Sequence, residues 1–136
     1  MLAVMKQFLH FHSSAGRRLI AVDQVIEVIP MVWLQREAAD DANQYFCGLL
    51  NFRGEIVPVF TLSMYEAKFH NDPNLFLIVA DADQGMVAVL ALEVDYLVEV
   101  PDSAVSQINA IGGKVVNAAK VDDEMIRIVV PREFVV

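Results

Sequence analysis

Short apolar runs rich in Val, Ile, Leu and Phe, broken by turn residues, recur along the whole chain. Such runs predict β-strands, half-buried where they alternate with polar residues and buried on both faces where they are continuous. Gln7 to His12 and Arg18 to Val22 flank Ser13, Ser14, Ala15 and Gly16 and read as a first hairpin. Asp23 stands at an N-cap position, where its carboxylate can accept from free N–H groups, and predicts a short helix over Gln24 to Ile29 that Pro30 ends. Met31 to Leu34 reads as a brief edge strand, and Gln35 to Gln44 as a polar loop or helical turn. Tyr45 to Phe52 and Glu55 to Phe60 make the clearest hairpin, because Gly54 supplies the positive φ of a tight turn at Arg53-Gly54. A short helix is expected over Leu62 to Lys68 and a polar loop over His70 to Asn74.

The second half repeats the style. Leu75 to Ala80 is a buried strand, Asp81 to Gly85 a turn, and Met86 to Leu92 the return strand. Val94 to Val100 follows and is broken by Pro101-Asp102-Ser103. Val115 to Val121 and Met125 to Val130 form the last hairpin, and Pro131 suits the first position of a short terminal helix. Short strands at this spacing predict an all-β protein built of barrels rather than a parallel sheet. No strict internal repeat and no low-complexity segment interrupts the pattern.

Composition narrows the function. At 136 residues and 56% apolar, the chain suits one domain or two closely fused small barrels. A net charge of −8 argues against nucleic acid and anionic lipid as partners. No apolar run reaches the roughly 18–20 residues that span a bilayer, and Met1 to Met5 opens no secretory signal. A single cysteine, Cys47, forms no internal disulfide. The expectation is a cytoplasmic protein without membrane insertion. The high apolar fraction fits two small cores, or surface patches used for partners.

Candidate chemistry is sparse. His10 and His12 share one strand face and can share a metal, but a site needs a third ligand, and among histidines only His70 remains. Two partly exposed strand histidines without a metal is the favoured reading. Asp81 to Gly85 has its glycine one place early for a calcium loop and no closing glutamate, so it reads as a hairpin turn. Asp122-Asp123-Glu124 is a solvated turn. Glu37, Asp40 and Asp41 lie in a polar stretch without apolar seclusion to tune a carboxyl. Cys47 has no partner base in its neighbourhood and reads as buried and inert. No phosphate loop or hydrolase elbow is present, which argues against an enzyme and names no cofactor. Glu27 and Arg53 stand out, each among apolar neighbours: Val25, Ile26, Val28 and Ile29 for the first, Phe52, Ile56 and Val57 for the second. Charges so placed tend to pair; two unrelated surface charges is the equal alternative.

The run Cys47-Gly48-Leu49-Leu50-Asn51-Phe52-Arg53-Gly54-Glu55-Ile56-Val57-Pro58-Val59 closely resembles the signature of the CheW family, roughly G-x-x-N-x-R-G-x-[IV]-[IV]-P-[IV]. Ala21 to Ile29 is similar to the family's helix after its first hairpin, and Asn117 to Asp123 to its closing hairpin. The resemblance covers nearly the whole chain. It implies a single CheW-like domain over 1–136, made of two SH3-like five-stranded β-barrel subdomains packed together, with a few short helices. The subdomain boundary is expected near 70–75, with terminal strands crossing between subdomains. It further implies a non-enzymatic chemotaxis adaptor that binds the cytoplasmic tip of chemoreceptors and the regulatory domain of a CheA-like histidine kinase, at receptor arrays on the inner face of the membrane. By carry-over, Arg53 and Glu27 form a salt bridge near the receptor-binding groove, Val25 and Val28 line that groove, and Asn51 and Gly54 shape the hairpin presenting Arg53. The chain departs from the family where Thr61, Leu92 and Val130 replace the usual Asp, and where Ala88 and Asn117 replace Gly. These departures point to a divergent adaptor of a twitching-motility or surface-sensing pathway as the alternative. A small metal-binding barrel on His10 and His12, and weak self-association through exposed strand edges, are further readings.

Overall fold

The computed structural model describes residues 4–32, 34–35, 45–62, 74–109 and 113–134. The first expected hairpin forms from β1 (Met5–Ser13) and β2 (Gly16–Ala21). A 3-10 turn at Val22–Gln24 leads into β3 (Val25–Pro30), and β4 (Phe46–Phe52) and β5 (Glu55–Phe60) make the central hairpin. β6 (Phe76–Asp81), β7 (Met86–Ala91) and β8 (Glu93–Pro101) follow. A second 3-10 turn at Asp102–Ala104 joins β8 to β9 (Val105–Asn109). β10 (Val115–Val121) and β11 (Glu124–Val129) close the chain before a last 3-10 turn at Pro131–Phe134.

Two sheets result, in the orders β8-β1-β2-β11-β10-β9 and β3-β6-β7-β5-β4. Five strands of each follow one plan. In β9-β10-β11-β2-β1, as in β3-β6-β7-β5-β4, every pairing is antiparallel except the third, which is parallel. β8 adds a sixth strand to the first set. Both sheets curl. Flat, β8 and β9 would stand five strand spacings or roughly 24 Å apart, whereas the three residues Asp102–Ala104 between them reach only about 14 Å. In the other sheet Met31 N–H still bonds Leu75 O beside β6, while Gln35 and Leu49 of β4 exchange backbone hydrogen bonds of 2.9 and 2.8 Å. Among the described residues one bridge thus ties β4 to the segment that follows β3, consistent with the all-β, SH3-like arrangement expected.

Four apolar clusters lie among the described residues, the smallest being Phe60, Ala82 and Val87. Leu50, Phe52, Val57, Leu77, Val79 and Leu90 pack inside the five-stranded sheet, and Phe8, Leu19, Val100, Ala119 and Ile126 inside the other. Leu9, Phe11, Ile20, Ile78, Val89 and Val129 pack between the sheets. β1, β6 and β7 contribute alternate residues to two clusters, which is why β6 and β7 read as unbroken apolar runs.

Several expectations are corrected. Gln24 to Ile29 is no helix: Asp23 makes no side-chain cap bond, and the β-branched residues Val25, Val28 and Ile29 pair with β6 instead. Pro30 ends an edge strand, where its missing N–H is tolerated. Met31, Val32 and Leu34 form no strand; Gln35 alone makes a bridge. β9 occupies a stretch to which the sequence pattern assigns no element, because its half-exposed pattern lacks a strong apolar run. The terminal helix is a single 3-10 turn at Pro131–Phe134. All but Leu62 of the helix expected over Leu62 to Lys68, most of the 35–44 loop and the 70–73 part of the polar loop fall outside the described residues.

Candidate functional site

Arg53 and Gly54 form a two-residue turn between β4 and β5, both with positive φ (51° and 85°). That geometry matches the twist of the flanking strands. The Gly54 N–H donates to Asn51 Oδ1 at 3.0 Å, which braces the turn from within. The Arg53 guanidinium carbon lies 4.8 Å from the Phe52 ring centroid, and its Nη2 donates to Glu27 Oε1 at 2.8 Å. The cation is thus oriented on two sides while its side chain stays 67% exposed.

Glu27 reaches this turn because β3 is bulged. Val25 pairs with Ala80 and Glu27 with Val79, so Ile26 is the extra residue and is left exposed. Glu27 then shares a face with Val79 and Ile29, on the side of the core inside this sheet. Val25 and Val28 lie opposite Ala80 and Ile78 and pack, half-buried, against the cluster between the sheets. The structure therefore brings Arg53, Glu27, Asn51 and Gly54 together and places Val25 and Val28 on the other face of β3. A helix would have spaced these residues differently; strand alternation separates Val28 from Glu27, and the bulge at Ile26 separates Val25 from Glu27. Ile56, an apolar neighbour of Arg53 in the sequence, pairs with Asn51 and is 60% exposed, so it presents an apolar side chain beside the turn instead of packing inward.

A second polar group gathers at one end of the six-stranded sheet. His10, expected to be partly exposed, is 1% exposed, because β1 runs between β2 and β8 and the Tyr96 ring stacks on its imidazole at 4.7 Å. Arg17 Nε can only donate, so His10 Nε2 accepts at 2.9 Å, and the ring proton sits on Nδ1, facing Asp95 Oδ2 at 2.7 Å. His12 Nε2 approaches the same carboxylate oxygen at 3.1 Å. Arg17 is also ion-paired with Glu124. The second ring nitrogen of His10 is thus taken up by Arg17 and is not free to face a substrate. Asp95 has no local sequence signal: the β1–β8 register skips from His10↔Tyr96 to Phe11↔Val94, and this bulge turns Asp95 toward the histidines.

Cys47 is 4% exposed within the core of the five-stranded sheet. Asp81 Oδ1 accepts the Asp83 N–H at 2.9 Å in a closed hairpin turn. Glu37, Asp40, Asp41 and His70 lie outside the described residues. No helix among the described residues is long and apolar enough to cross a membrane.

A family model for the CheW-like domain matches residues 7–135. No curated protein matches the chain. Among solved structures, that of the scaffolding protein TtCheW from Thermoanaerobacter tengcongensis is similar, with a TM-score of 0.74 over 93% of this chain and 85% of that one at 18% identity. At such low identity the likeness speaks for the fold, while the family match runs from β1 to the terminal turn. The chain belongs to the CheW-like domain family.

Proposed function

We propose that the protein is a non-enzymatic cytoplasmic scaffold of chemotaxis signalling, holding the cytoplasmic tip of a chemoreceptor and the regulatory domain of a CheA-type histidine kinase at once. The observation that carries this reading is the Arg53–Glu27 pair at the β4–β5 turn. An exposed ion pair stabilises a fold by at most about 1 kcal/mol, so its construction needs a reason other than stability. The turn, the Asn51 brace and the Phe52 ring fix Arg53 while leaving donors free for a partner's carboxylates or carbonyls. Asn51, Gly54 and Glu27 position that cation. Val25 and Val28, half-buried on the other face of β3, belong to the same receptor groove in this proposal. The scaffold reading of the similar protein TtCheW supports it.

Signal passes through such a scaffold only if its bound geometry differs between kinase-on and kinase-off assemblies, since a ligand shifts an equilibrium only by its differential affinity. The test is binding of the purified protein to a receptor-tip fragment and to a CheA-type regulatory domain from the same organism. Arg53→Glu is expected to weaken the receptor complex by tenfold or more, about 1.4 kcal/mol, with kinase binding and circular dichroism unchanged. Unchanged receptor affinity would place the groove elsewhere. Binding to neither partner by a folded protein would mean that the fold serves another partner.

A further inference from the structure

The cluster of His10, His12, Asp95 and Arg17 is not used by the scaffold reading. Its three potential ligand atoms lie within 4.8 Å of one another. His10 Nδ1 and His12 Nε2 stand 2.7 and 3.1 Å from a single oxygen of Asp95. Two ligands of one tetrahedral zinc, each bonded at 2.0–2.2 Å, are roughly 3.3 Å apart, so both contacts need to open by well under about 1 Å. The imidazole rings cross at 80°, close to perpendicular. Two imidazoles and a carboxylate suit a borderline transition metal, whereas calcium and magnesium require a shell of oxygens.

We propose that His10 Nδ1, His12 Nε2 and Asp95 form a binding site for a zinc-class divalent cation, and that Arg17 holds this site closed in the metal-free protein. The closure follows from the proton positions. Arg17 Nε–H donates to His10 Nε2 at 2.9 Å, which keeps the imidazole proton on Nδ1, where the metal must bind. When the metal takes Nδ1, that proton moves to Nε2 and the ring remains neutral. It then faces the Arg17 N–H, and two donors cannot share one hydrogen bond. Metal binding and the Arg17–His10 bond therefore exclude one another. Arg17 can yield: its side chain is 30% exposed, and it keeps Glu124 and, at 3.5 Å, the Tyr96 hydroxyl as partners. Its positive charge beside the site further opposes a cation. With three protein ligands, the fourth position is left for water. The site spans β1 and the bulge of β8, so loading clamps the N-terminal hairpin to that strand.

The test is zinc titration of the full chain by calorimetry, with elemental analysis after dialysis. One zinc per chain is expected. Arg17→Met, which keeps the aliphatic length and removes the competing donor and charge, is expected to bind zinc on the order of tenfold tighter. Asp95→Asn and His12→Gln are expected to abolish stoichiometric binding; His12 is 41% exposed, so its replacement leaves the core untouched. Absence of stoichiometric zinc in both the natural chain and a folded Arg17→Met variant would overturn the site. Equal retention by folded Asp95→Asn would overturn the ligand assignment, and weaker binding by Arg17→Met would overturn the role of Arg17.

Discussion

Gly48 within β4 and Gly54 in the β4–β5 turn both have positive φ, but only one is crowded. A Cβ on Gly48 would sit 3.0 Å from the Gln35 carbonyl oxygen and 3.3 Å from Leu34 Cβ, at the bridge that ties β4 to the segment that follows β3. A Cβ on Gly54 meets nothing within 4 Å. Gly54→Ala therefore carries only the backbone strain, about 1 kcal/mol. Gly48→Ala adds displacement of a backbone segment and is expected to cost about 2–3 kcal/mol. Urea denaturation of the two variants checks the order; equal costs would mean that the bridge gives way freely. Arg53 shows what a sequence conceals at this scale. Its φ of 51° is unusual for a side chain of that size, yet the residue identity alone advertises charge, not conformation.

Among the elements, β3 separates local propensity from tertiary pairing. Asp23 followed by a short apolar stretch has the look of a capped helix, and a capping Asp contributes about 1 kcal/mol. In the structure Asp23 belongs to a 3-10 turn and caps nothing, while β3 takes its hydrogen bonds from β6. Asp23→Ala is accordingly expected to change stability by less than about 0.5 kcal/mol, measured by chemical denaturation. A loss near 1 kcal/mol would restore a capping role. The bulges in β3 and β8 act alike: one extra residue in each strand redirects a carboxylate, Glu27 to Arg53 and Asp95 to the histidines. Alternation predicts faces only while the register is unbroken, so neither pairing follows from spacing.

For the whole molecule, the shared pairing plan of the two sheets sets where stability concentrates. β6 and β7 are paired on both sides and buried on both faces, with Leu77, Ile78, Val79, Val87, Val89 and Leu90 all fully buried. β9 is an edge strand whose residues are half-buried or exposed. Native-state hydrogen exchange is expected to show amides of β6 and β7 opening only with global unfolding and those of β9 opening earlier. Protection of β9 equal to that of β7 would contradict this distribution. The equivalent strands of the two sheets carry different residues: β6 reads Phe-Leu-Ile-Val-Ala-Asp and its counterpart β10 Val-Val-Asn-Ala-Ala-Lys-Val. The repeat is thus one of pairing order, invisible to a search for similar residues.

The apolar pattern and turn residues by themselves determined most strands, the three principal hairpins and the all-β class, because period-two burial and tight-turn chemistry are local properties. The motif around Asn51, Arg53 and Gly54 likewise carried the family, whereas spacing alone left a Glu27–Arg53 pair and two unrelated surface charges as equal alternatives. Only the tertiary structure decided that Val25 to Pro30 is a strand, that Ile26 and Asp95 are bulged, and that Val25 and Val28 face away from Glu27. It also decided that His10 is buried with Arg17 and Asp95 on its two nitrogens. Each of these depends on which distant strand supplies the neighbouring hydrogen bonds, and that choice is made by packing between sheets, not by any stretch of chain read alone.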